Sequence, residues 1–111
     1  ADMIREEDDG ECRYRITKTD RGFLVTMRSK DSMGLLIPCE WLHRTEEAAQ
    51  SCLDTVMQFE AVWRAMKNGY PMDAVMTKLE KMTKAHGELI KRLDDAPLIG
   101  QEVRELRYLE P

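Results

Sequence analysis

Cys39 and His43 stand four residues apart, Cys52 follows in the same half of the chain, and His86 lies far downstream. Cysteine and histidine are the usual zinc ligands, and zinc takes four nitrogen or sulfur donors, most often as two close pairs. Here there is one loose pair and two single residues. Cys52 falls on an apolar line of helical spacing, where a free thiol packs as a small hydrophobe. His86 occupies a core-type position of a second such line. Packed cysteines and a buried, hydrogen-bonded His86 are therefore expected, with no metal and no cofactor. An imidazole in a seam between helices would have its charged form disfavoured by desolvation unless Glu60 or another acid reached it, and acidification would then loosen that seam, but a histidine at the seam's edge with one nitrogen in water is the stronger reading.

Other chemistry finds less support. Nucleophilic catalysis needs a third orienting group and a pocket. Cys39 and His43 only flank Trp41 in a connector, and no glycine-rich nucleophile turn is present. Neither GxxxxGK[ST] nor GxGxxG occurs, so no phosphate loop is expected. Asp94-Asp95 and Glu46-Glu47 read as helix-end and surface acids. The chain is not expected to be an enzyme.

Charge is unevenly spread. Residues 12–30 hold Arg13, Arg15, Lys18, Arg21, Arg28 and Lys30 against Asp20, a local net charge of +5 in a chain whose total is −4. A basic two-stranded ribbon fits a major groove. No aromatic residue interleaves these side chains on the outer face, as a single-strand binder would prefer. The neighbouring acids Asp2, Glu6, Glu7, Asp8, Asp9 and Glu11 could neutralise the ribbon in cis. A solvated sheet face whose charges deter edge pairing is the stronger reading.

Elements to position these residues follow from periodicity. Residues 1–11 read as a flexible acidic segment, and residues 12–111 as one α+β domain. Cys12, Tyr14 and Ile16 alternate with Arg13, Arg15 and Thr17, and Phe23, Val25 and Met27 with Leu24, Thr26 and Arg28, as half-buried strands do. A five-residue loop, Lys18 to Gly22, joins them as a β-hairpin. Leu35-Leu36-Ile37, stopped by Pro38, predicts a third strand and hence a three-stranded antiparallel meander.

Thr45 before Glu46 and Glu47 marks a helix start, and Asn68-Gly69 a helix end. Ala49, Cys52, Val56, Phe59, Trp63 and Met66 recur at spacings of three and four, as do Val75, Leu79, Met82, His86, Leu89 and Leu93. These lines predict helices over 46–67 and 72–93, folded back as a long antiparallel αα-hairpin crossing at about 20°. Its seam should hold Cys52, Val56, Phe59, Trp63, Val75, Leu79, Met82 and Leu89. Val103, Leu106 and Leu109 share one face and predict a short C-terminal helix.

The 111 residues fit a single domain with a core of its own. At 42% hydrophobic and 34% charged, the composition is that of a soluble globular chain. No apolar run approaches the roughly 20 residues that cross a bilayer, and no membrane partner is expected. The acidic beginning lacks the apolar stretch of a signal peptide. Three cysteines without framework spacing suggest free thiols and a cytoplasmic location.

The eight methionines are many for this length, and Met57, Met66, Met72, Met76 and Met82 fall in the helices. Leu53 and Met57, with Met72 and Met76, form apolar lines beyond one seam, and Trp41 adds an aromatic anchor. Either residues 103–109 cover this surplus or a second chain does. The expected function is a non-enzymatic protein–protein interaction module, a regulator, adaptor or inhibitor, acting as a homodimer through these residues. The alternative is a nucleic-acid-binding regulator using the basic hairpin 12–30.

Overall fold

Alternation from Cys12 onward has its structural counterpart in burial: Cys12, Tyr14, Ile16 and Val25 all lose their solvent, while Arg13 and Arg28 keep theirs. In the computed structural model, which describes residues 2–30 and 39–109, these residues belong to β2 (Cys12–Thr19) and β3 (Gly22–Ser29). The hairpin loop is tighter than the sequence suggests. Thr19 pairs with Gly22, so only Asp20 and Arg21 lie between the strands. Gly22 sits at φ +139°, and a Cβ there would collide with the main-chain oxygen of His43, so glycine is required on two counts.

The meander extends further than three strands. Asp2–Asp8 forms β1, antiparallel to β2, where a flexible acidic segment was expected. Two causes are visible. Ile4 packs against the core, and the acids stand opposite bases, with Asp2 across from Lys18, Glu6 from Arg15 and Asp8 from Arg13. Opposite-charge pairs directly across two strands stabilise them. Beyond β3 comes β4 (Cys39–His43), in what read as a connector, followed by the two-residue β5 (Leu98–Ile99). The sheet order is β1-β2-β3-β4-β5, all pairs antiparallel. The strand expected at Leu35–Ile37 lies outside the described residues.

Two long helices follow as expected. α1 spans Glu46–Lys67 and α2 spans Asp73–Arg92. The Thr45 hydroxyl accepts a hydrogen bond from the Ala48 N–H at 3.3 Å, and Gly69 takes φ +71° just past α1, the left-handed geometry that ends many helices. α1 lies on one face of the sheet against β2, β3 and β4, and α2 packs on α1. The C-terminal helix α3 (Gln101–Leu109) packs beside β4 and β5 with Val103 buried. Its main packing among the described residues is on β4 and β5, away from the helical hairpin. No helix among the described residues is long and apolar enough to cross a membrane.

The seam between α1 and α2 is displaced by one residue from the expected line. Ser51 meets His86 at 2.8 Å, and the Gln58 amide donates to the Val75 carbonyl at 3.3 Å. Thr55, Gln58 and Val62, which continue this line, are buried. The apolar line is used differently. Ala49, Cys52 and Leu53 are buried beneath the sheet and Val56 and Met57 pack against that core. Farther along the helix, Phe59 and Trp63 emerge into solvent. Periodicity missed this because Thr55 and Gln58 are polar. Their burial is tolerated because both side chains are bonded, Thr55 to the Ser51 carbonyl at 2.8 Å and Gln58 to α2.

Candidate functional site

A buried polar cluster forms where β4, α1, α2 and the loop after α2 converge. His43 ends β4, and its register partner is Phe23, so its ring points to the α1 side of the sheet. It has no solvent exposure. His43 Nδ1 lies 3.1 Å from the Asp95 carbonyl oxygen and 3.7 Å from the Asp95 carboxylate. A ring nitrogen facing a carbonyl must carry the proton, which leaves the lone pair on Nε2. That Nε2 is buried and has no hydrogen-bond partner among the described residues.

Asp95 is itself fully buried. Its carboxylate accepts from the Arg44 N–H at 2.7 Å, the Thr45 N–H at 2.9 Å and the Thr45 hydroxyl at 2.6 Å. Burial alone would raise its pKa. The bonds from Arg44 and Thr45, together with nearby His43, outweigh that and hold it below the ordinary carboxylate range. Asp95 thus ties the loop after α2 to the start of α1 while it orients His43.

Two further groups complete the cluster. His86 reaches it from α2, with Nδ1 on the Ser51 hydroxyl, and its ring stands edge-on to that of His43 with centroids 5.9 Å apart. Burial, and then the neighbouring His43, lower the His86 pKa. Cys52 comes from α1, and burial pushes its thiol up to about 12, so it is a poor nucleophile at neutral pH. A ring nitrogen of each histidine and the Cys52 sulfur all lie within 4.8 Å of one another. Cys39, exposed at the start of β4, stands outside the set.

A second candidate is the exposed line on α1. Phe59, Trp63 and Met66 are 52%, 56% and 50% exposed, and Tyr70 just beyond the helix is also exposed. The residues expected at a partner interface lie elsewhere. Leu53 is wholly buried in the core, which removes it as a docking residue. Met57 and Trp41 pack against that core, and Met72, just before α2, and Met76, within it, are half-buried. Met57 also lines an open groove between α1 and α2 with Arg5, Asp9, Asp54 and Lys78.

The basic hairpin is the third. Arg15 Nε bonds Glu6 at 2.7 Å, Lys30 Nζ bonds Asp8 at 2.6 Å, and Arg13 lies 3.8 Å from Asp8. Lys18 faces Asp2 in the register. Arg28 is exposed opposite Arg13, and Arg21 is exposed in the turn. The acids of β1 therefore lie alongside the bases of β2 along the length of the pairing.

Comparison with protein-family models, curated proteins and solved structures finds no match to this chain.

Proposed function

We propose that this chain is a non-enzymatic protein–protein interaction module that acts as a homodimer, docking through the outer line of α1. The observation that carries the reading is the row Phe59, Trp63 and Met66, half or more exposed on one helical line whose earlier members, Cys52 and Val56, are packed under the sheet. Aromatic residues and methionine are enriched at interface cores, and large rings in such rows contribute most of the binding energy. A second copy is favoured as occupant because one self-complementary patch then suffices. The three free thiols agree with a reducing cytoplasm.

The competing reading, a nucleic-acid regulator built on residues 12–30, is weakened by the ion pairs that β1 makes with Arg13, Arg15 and Lys30. Light scattering tests the dimer. The expected mass is twice that of the 12.9 kDa chain at micromolar concentration, and Trp63→Glu is expected to return the single-chain mass with an unchanged circular dichroism spectrum. A wild-type protein that remains a single chain at high concentration would remove the homodimer.

A further inference from the structure

We propose that His43, Cys52 and His86 form a three-ligand site for a zinc-type divalent cation, with a water molecule completing its coordination. The donor set is two imidazole nitrogens and one sulfur, the chemistry that borderline-soft Zn²⁺ prefers. The three donor atoms lie within 4.8 Å of one another. Tetrahedral zinc at ordinary bond lengths needs donors about 3.4–3.7 Å apart, so modest inward movement closes the site.

The Nε2 of His43, buried and unpartnered among the described residues, is the observation that points to a ligand. An imidazole lone pair with no donor facing it, deep in the fold, is costly to maintain, and a cation there would satisfy it. The outer contacts are those a metal site requires. His43 holds its Nδ1 toward the Asp95 carbonyl with the Asp95 carboxylate behind it, and His86 Nδ1 is held by Ser51. Such partners fix ring orientation and raise ligand basicity. Three elements contribute one ligand each, from β4, α1 and α2, so an ion would fasten the helical hairpin to the sheet. Binding expels the Cys52 thiol proton to solvent and leaves both imidazoles neutral.

The full chain, stripped of metal and kept reduced, is titrated with Co²⁺ as a spectroscopic probe and then with Zn²⁺. The expected result is a thiolate-to-cobalt charge-transfer band saturating at one ion per chain, with the intense visible absorption of a four-coordinate ion, and displacement by Zn²⁺. Zn²⁺ should also raise the melting temperature in a concentration-dependent way. Cys52→Ser should abolish the charge-transfer band, and Cys39→Ser should leave it intact. Because Cys52 is buried and its variant could unfold, His86→Ala is the second arm. That side chain is only partly buried, and its loss should weaken Zn²⁺ binding at least about tenfold with the metal-free spectrum unchanged. No cobalt–thiolate band in the wild type, a band that follows Cys39 instead of Cys52, or Zn²⁺ affinity untouched by His86→Ala would overturn the site.

Discussion

Glu6 and Arg15 stand directly opposite each other across β1 and β2, and Arg15 Nε donates to the Glu6 carboxylate at 2.7 Å. The contact ties the acidic start of the chain to its basic hairpin. Two segments of opposite charge, which look like a disordered acidic run beside a binding surface, become adjacent strands of one sheet. Each exposed pair is worth about 0–1 kcal/mol. Their larger consequence is for the field around the hairpin, which β1 cancels at short range.

Removing that cancellation should be measurable. Glu6→Gln combined with Asp8→Asn takes two negative charges from the strand and releases Arg13, Arg15 and Lys30. The double variant is expected to elute from heparin at higher salt than the wild type, with stability changed by no more than about 1–2 kcal/mol. Equal elution of the two proteins would mean that the β1 acids do not screen the hairpin.

Leu53 and Trp63 should exchange the roles that their sequence positions suggest. Leu53 has no solvent exposure, and Trp63 is more than half exposed. Leu53→Ala is expected to cost about 2–5 kcal/mol in urea unfolding. Trp63→Ala should cost less than about 1 kcal/mol at dilutions where the chain is single. A large loss for Trp63→Ala under those conditions would return it to the core.

Local signals were legible and lateral ones were not. Thr45, Asn68 and Gly69 announced both ends of α1, because caps act on backbone groups a few residues away. Cys12 to Met27 announced a hairpin, because period-two burial is local. β1 was hidden because its stability comes from partners on another strand and from the reach of Arg5 to Gln50 and Asp54 on α1. The helical periods placed Cys52 and His86 on core-type lines of the two arms, so that half of the buried cluster could be anticipated. His43 could not, since its strand is defined by pairing with β3 and with the distant β5. Asp95 looked like a helix-end acid, and nothing nearby in sequence signals that it caps a helix fifty residues earlier.

Gly22 is a further sensitive position. Its φ of +139° is available only to glycine at low cost, and an added methyl would strike the His43 backbone. Strain of this kind costs about 1–3 kcal/mol before the clash is relieved. Gly22→Ala is therefore expected to lower stability by more than about 2 kcal/mol, with amide shifts in β3 and around His43 by NMR. A variant as stable as wild type, with His43 unperturbed, would show that the turn can rearrange freely.

Asp9 should govern part of the acid sensitivity. Its carboxylate accepts from the Cys12 N–H at 2.7 Å, the Glu11 N–H at 2.9 Å and the Tyr14 hydroxyl at 3.1 Å, and it pairs with Arg64 on α1. Partial burial works to raise its pKa, but these donors and the Arg64 charge outweigh it, and the pKa is lowered. A carboxyl whose folded pKa lies below its unfolded value of about 3.9 adds stability that is fully present above that value, because between the folded and unfolded pKa values the unfolded chain binds more protons. The contribution is lost as pH falls through the folded pKa. Asp9→Asn should thus destabilise the protein by on the order of 1–3 kcal/mol at pH 7, with the gap to wild type closing below about pH 4. Urea unfolding of both proteins from pH 7 to pH 3 measures it, and a gap that stays constant across that range would show that the Asp9 charge contributes nothing beyond its neutral hydrogen bonds.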